Sequence, residues 1–216
     1  LRADYSSQWG WQVAPRASFK YSFTDETVVR LTGGRGFRTP HVIVDNLGVL
    51  SSGRALRIAD NLQAEDAWTF GGNFTQYFSI GERTNNYFSF DYFRTGFNHK
   101  VVYDWDSGLA DGVVDIYDFA DASFGNKTGN SRAFTDTYQV DLSLEPIERF
   151  TVIATFRYSN AMITMKNKGL VEAPMTSRYK AVLNLQYATP MNKWMFDATA
   201  QLNGPCKLPG FMGGGY

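Results

Sequence analysis

From Trp9 to Phe23 the chain alternates almost without error: Trp9, Trp11, Val13, Pro15, Ala17, Phe19, Tyr21 and Phe23 hold the odd positions, and nothing at the even positions is more apolar than Ala14. Successive side chains of a strand point to opposite faces, so a sustained two-residue period predicts a β ribbon with one apolar and one polar face. The pattern recurs. A second strand is expected from Thr27 to about Arg35 and a third from about Asp66 to Phe78, with Trp68, Phe70, Phe74 and Phe78 on the apolar side. The fourth begins near Asn86 with Phe88, Phe90 and Tyr92; Phe93 and Phe97 then fall on the other parity, which predicts a β-bulge near Arg94. Four more follow: Phe134 to Leu144, Phe150 to Tyr158, Tyr179 to Tyr187, and Trp194 to Leu202.

The eight strands are joined by connections that alternate in length. Thr24 to Glu26, Ser79 to Asn85, Glu145 to Arg149 and Thr189 to Lys193 are short; Gly36 to Glu65, Asp104 to Ser131 and Lys166 to Thr176 are long. Short turns at one end of an up-and-down meander and long loops at the other fit a transmembrane β-barrel with its long loops outside. Trp9, Trp11, Trp68, Tyr158, Tyr179, Tyr187 and Trp194 fall near strand ends on the apolar face, where interfacial rings belong. Pro15 interrupts the first strand, so its spanning part is expected from Arg16 to Phe23.

Composition agrees with that picture. Of 216 residues, 16% are aromatic and 19% charged, an unusual balance for a chain whose surface is all in water. No run approaches the ~18 apolar residues of a spanning helix, and the mean hydropathy of −0.30 is what every-second-residue hydrophobicity produces. The N-terminus shows no secretory leader pattern, consistent with a leader already removed or a chain that starts late. Formal net charge is zero and the basic residues are scattered, which argues against nucleic acid as a partner. The lone Cys206 has no internal disulfide partner, and no catalytic or cofactor motif is present, so neither enzyme activity nor a cofactor is expected.

One stretch carries a family resemblance. Thr32-Gly33-Gly34-Arg35-Gly36-Phe37-Arg38-Thr39-Pro40, closing a strand and opening a long loop, resembles the YGxGFRAP signature of TonB-dependent outer-membrane receptors, with Gly33 in the aromatic place and Thr39 for alanine. Leu62-Gln63-Ala64-Glu65-Asp66 stands where the family has LxPExS, and Phe88 to Phe97 is similar to its aYFRTxY strand. Ser177-Arg178-Tyr179-Lys180 and Lys193-Trp194-Met195-Phe196-Asp197 resemble late barrel strands, so the likeness spans nearly the whole chain. Physically, the glycines permit close backbone approach at a rim, Arg38 can reach a carboxylate or loop carbonyls, and Pro40 stops the strand.

The resemblance implies a bacterial outer-membrane barrel of about 22 strands around a plug domain. Such a barrel imports an iron chelate, cobalamin or an oligosaccharide with energy from the TonB system of the inner membrane. Eight strands, no plug or TonB box before Leu1, and no alternating aromatic strand before Tyr216 mark the chain as a piece of that barrel's later part, cut in outward-facing loops. The implied partners are membrane lipid, the plug, TonB and a small-molecule or oligosaccharide ligand. Gly34, Gly36, Phe37, Arg38 and Pro40 are then rim residues, and Arg16, Lys20, Arg30, Asp141, Arg157, Arg178, Lys180 and Asp197 face the lumen or the plug.

Loop residues supply the remaining candidates. Arg54 and Arg57, alongside Arg35 and Arg38, are placed to meet an anionic ligand, and Trp105 and Tyr117 to stack on one. Asp104, Asp106, Asp111, Asp115, Asp118 and Asp121 crowd one loop. No resident metal is expected; Asp104, Asp106 and Asp111 are the positions to inspect for calcium, although Asp104 to Gly108 departs from the EF-hand order. His41 and His99 are far apart in sequence. Two other classes fit the alternation alone: a self-contained eight-stranded barrel acting as anchor or membrane enzyme, and a soluble β-sandwich binding module.

Overall fold

The computed structural model describes residues 1–108, 110–121, 131–166 and 168–208; the expectation for the tail at Tyr216 concerns residues outside these. Fourteen strands occur among them: β1 (Arg2–Ser6), β2 (Gly10–Ala14), β3 (Arg16–Ser22), β4 (Thr27–Arg38), β5 (Ala55–Ile58), β6 (Glu65–Ile80), β7 (Arg83–His99), β8 (Val101–Asp104), β9 (Val113–Asp118), β10 (Ala133–Ile147), β11 (Phe150–Met165), β12 (Gly169–Glu172), β13 (Tyr179–Ala188) and β14 (Met195–Asn203).

Eight of them form one antiparallel meander in the order β14-β13-β11-β10-β7-β6-β4-β3, with β12 paired beside β11. The first and last strands of this sheet are its free edges and do not pair with each other, so the eight strands do not close on themselves. That the eight long strands lie in one sheet, rather than in two stacked ones, also removes the sandwich.

Strand pairing turns the alternation of single strands into continuous rows. On the apolar face one row runs Phe19, Leu31, Gly72, Tyr92, Tyr138, Tyr158, Tyr179. Its rings touch, with centroids 4.9 Å apart for Tyr92 and Tyr138 and 6.3 Å for Tyr138 and Tyr158. One row beyond, the same face becomes polar: Arg94 lies 3.4 Å from Asp136, which also accepts the Tyr92 hydroxyl at 3.1 Å. At the opposite end Phe150, Tyr187 and Phe196 make a second aromatic row. Between the two lie Phe74, Phe90, Val140, Phe156, Ala181 and Leu202, with Leu142, Leu144, Val152, Leu183 and Leu185 in the adjoining rows. Tyr179 to Tyr187 spans about 26 Å of strand at ~3.3 Å per residue, or ~20 Å across a membrane for a tilt of ~40°.

Two expectations are corrected. The Trp9 to Phe23 ribbon is not one strand: β3 begins at Arg16 and continues along β4, as expected of the spanning part, but before Pro15 the separate strand β2 turns back on β1. Proline has no N–H for the ladder, but its carbonyl still accepts the Arg35 amide at 2.9 Å, so the break costs one bond. Nor is there a bulge at Arg94, since β7 pairs with β10 without a shift from Tyr87 to Gly96. The irregularity against β6 lies further on, between Phe97 and His99. Phe93 keeps its parity and sits on the polar face over Gly71, where a Cβ would collide with the Phe93 ring and the Tyr92 carbonyl. The apparent phase slip is an aromatic ring filling the space a glycine leaves.

Short connections cluster at one end and long ones at the other, as the lengths predicted, and the strands run longer than the sequence suggested. β6 and β7 extend to a turn at Gly81 and Glu82, with Gly81 at φ +62°. At the long-connection end, β5, β9 and β8 form a separate three-stranded sheet with β5 and β9 parallel. It packs Val102, Tyr117 and Phe119 against Ala133, Ile163 and Met165 from the ends of β10 and β11. The long loops therefore fold into a hood whose core is shared with the ends of β10 and β11.

Candidate functional site

Three surfaces carry the candidate residues: the rim where β4 ends, the hood, and the polar face of the sheet. At the rim, Gly34 and Gly36 lie on β4, Phe37 and Arg38 end it, and Pro40 is buried just after it. Arg38 binds Glu65 through Nε at 2.7 Å and approaches Asp45 at 3.4 Å. Arg35 grips Asp66 with two bonds, 2.7 and 2.9 Å, and Asn98 donates to the same carboxylate at 2.9 Å. Glu65 in turn accepts the Val101 amide at 3.1 Å. Burial would raise the Asp66 carboxyl, but the bonds from Arg35 and Asn98 outweigh it and hold it below the usual range. Two arginines of the motif thus staple the start of the first long loop to its return, and through Asn98 and Val101 to the next.

In the hood, three of the residues expected to meet a ligand are bonded to the loops themselves. Tyr117 is fully buried; its hydroxyl donates to Asp104 at 2.9 Å and accepts the Lys166 amide at 2.7 Å. Burial pushes that phenol far above its ordinary pKa, so it stays a neutral donor. Arg57 forms a two-bonded pair with Asp115 at 2.5 and 2.8 Å, and Arg54 donates to the carbonyls of Trp105 (2.8 Å) and Val113. Both arginines serve the loop itself.

The aspartates do the same. Asp104, wholly buried, accepts the amides of Asp106 and Ser107 at 3.0 Å each, and Asp106 pairs with Lys168. Asp118 accepts from Ala120 (3.0 Å) and lies 2.6 Å from His99. Asp111 is exposed and joins none of these contacts. Among the described residues no cluster of three or more His, Cys, Asp or Glu is placed to hold a metal ion, so the calcium positions do not converge. The sequence shows six acids in one loop; only the fold shows that Asp104 and Asp118 accept backbone amides, that Asp115 pairs with Arg57 and Lys166, and that Asp106 pairs with Lys168.

Trp105 does stay accessible. With Tyr103, Met165, Val171 and Pro174 it lines a cleft of about 230 Å³ whose polar edge is Asp106, Lys168, Lys207 and Glu172. Arg178 holds Glu172 with two bonds of 2.6 Å, which keep that carboxyl below its usual range.

The polar face carries one transverse row across all eight strands: Lys20, Arg30, Asn73, Asp91, Gln139, Arg157, Lys180, Asn203. Arg30 donates to Asn73 at 3.0 Å, Asn73 to Asp91 at 2.9 Å, and Arg157 to Gln139 at 2.9 Å. Asp141 accepts from Thr155 at 2.7 Å and Asp197 from Asn184 at 2.9 Å, both on the same face. Arg16 lies over Gly34, beside a hollow of about 270 Å³ floored by the motif glycines and walled by Phe93.

An open antiparallel meander with an aromatic-bounded apolar face, a polar face and a folded hood over one end defines a segment of a large outer-membrane-type barrel. The family model for the TonB-dependent receptor-like β-barrel matches residues 1–211, and the chain belongs to that family. A solved structure, that of the siderophore receptor PirA from Pseudomonas aeruginosa, superposes with a TM-score of 0.64 at 15% identity, over 94% of this chain and 35% of that one. The likeness is one of fold, and the chain spans about a third of the length of that receptor. A search of curated proteins finds no match.

Proposed function

We propose that this chain is part of an outer-membrane active transporter that captures a scarce extracellular ligand and imports it with TonB-coupled energy. The observation that carries the reading is the division of one sheet into two environments. The apolar face, bounded by the tyrosine row and the Phe150–Tyr187–Phe196 row, suits lipid, and the transverse polar row opposite suits a water-filled lumen with a plug domain. The hood stands at the long-loop end, which such barrels turn outward, and its Trp105 cleft offers a ligand an aromatic wall beside lysines. Family membership supports the same reading.

The test uses the complete receptor in its native bacterium. Uptake of a labelled iron chelate, cobalamin and an oligosaccharide is measured in the parent, a strain lacking the receptor, and a strain lacking TonB. The expected outcome is accumulation of one ligand class that both deletions abolish. Receptor in the soluble fraction, or uptake unchanged without TonB, would overturn the proposal.

A further inference from the structure

The polar row contains an electrostatic misfit. Arg157 and Lys180 stand directly opposite each other on β11 and β13, where Cβ atoms are ~5 Å apart and like charges destabilise a sheet. Neither has an acidic partner among the described residues: Arg157 uses Nε on Gln139, and Lys180 makes no ion pair. The row's own carboxylate, Asp91, is taken by Asn73. These two cations also line a single cavity of about 230 Å³, into which Ser159, Thr176 and Ser177 bring hydroxyls. Two adjacent cations with neutral hydroxyl donors around an open space form the donor set for anionic oxygen, and an anion seated there would turn the repulsion into mutual attraction.

We infer that the Arg157–Lys180 cavity is a binding site for a carboxylate or phosphate group. Guanidinium Nη atoms and the ammonium supply charge-assisted bonds, and the Ser159 and Ser177 hydroxyls complete the shell, the Thr176 hydroxyl being donated to the Pro174 carbonyl at 3.4 Å. The two cations lie one residue to the short-turn side of the tyrosine row, since Arg157 precedes Tyr158 and Lys180 follows Tyr179, while Ser159, Thr176 and Ser177 carry the cavity past that row toward the long-loop end. That its cavity opens to the lumen rests on the transporter reading. The anionic group comes from one of two sources: a ligand entering the lumen, or an acidic side chain elsewhere in the complete receptor.

The complete receptor, purified in detergent, is titrated calorimetrically with citrate and with inorganic phosphate as probes, and its thermal unfolding is followed in parallel. Variants are R157Q, K180Q, K180E, and K20Q as a control on the same row. If the anion comes from outside, wild type binds a probe, and K180Q and K180E weaken it at least roughly 10-fold while K20Q does not. If it comes from the receptor itself, wild type binds neither probe, and K180E lowers the unfolding temperature. The result that overturns the site is the absence of probe binding together with a raised unfolding temperature for K180E, because an empty site would gain an Arg157 ion pair from that change. Probe binding unaffected by K180Q and K180E overturns it equally. Neither measurement depends on uptake or TonB, so failure here is distinguishable from failure of the transporter reading.

Discussion

At the scale of single residues, the motif that suggests a family in the sequence acts as a set of staples. Arg35 has a two-bonded carboxylate in Asp66, whose side chain is only 12% exposed, so Arg35→Ala leaves a largely desolvated charge with Asn98 alone. Because the arginine is 37% exposed, water softens the loss, and we expect a cost of about 1–2 kcal/mol. Urea unfolding of the detergent-solubilised receptor measures it. Gly71→Ala should be worse than Gly33→Ala. The added methyl at 71 meets the Tyr92 carbonyl and the Phe93 backbone, which cannot move cheaply, whereas at 33 it meets only the Phe70 ring. About 2 kcal/mol separates such a backbone clash from one a ring can relieve, read from the same unfolding curves. Arg38 and Arg35 stand out in the sequence as charges beside glycines. That they grip Glu65 and Asp66, some 30 residues on, is written in no local pattern.

At the scale of elements, the strands were legible because a period of two is a local property; the hood was not, because its strands are short and its core is assembled from separate loops and the ends of β10 and β11. β5, β8 and β9 are four to six residues each, too brief for alternation to register, and β5 pairs in parallel with a strand 55 residues later. Asp115 locks this element. Its burial would raise its carboxyl, but hydrogen bonds from Arg57 and Ser107 and the nearby charges of Arg57 and Lys166 outweigh that and leave it lowered. A folded-state pKa below the unfolded one contributes stability that is present above about pH 4 and is lost as pH falls through the lowered value. Protection of the Val113–Asp118 amides against hydrogen exchange, corrected for the intrinsic rate at each pH, should therefore fall below about pH 4 in wild type. Asp115→Asn should exchange faster at neutral pH and show little further pH dependence in that window. Tyr117→Phe removes the donor to buried Asp104 and the acceptor of the Lys166 amide, and should cost about 1–3 kcal/mol by unfolding.

At the scale of the molecule, the two faces predict opposite responses at adjacent positions. Leu183 lies on the apolar face and Val182 on the polar one. Leu183→Arg should cost about 2–4 kcal/mol in a bilayer and Val182→Arg about 1 kcal/mol or less, compared by unfolding in lipid vesicles. Equal costs would argue against lipid on one face alone. The amphipathic period, the eight strands, the sorting of connections by length and the rim motif were determined by the sequence itself, because each depends on residues near one another along the chain. Only the tertiary structure decided that β2 turns back on β1 before Pro15, that Phe93 fills the space over Gly71, that Tyr117 is buried in the hood with Arg54 and Arg57 bonded to its loops, and that Arg157 faces Lys180. Those outcomes depend on register between strands, and register is chosen by the cooperative fit of every row across the sheet.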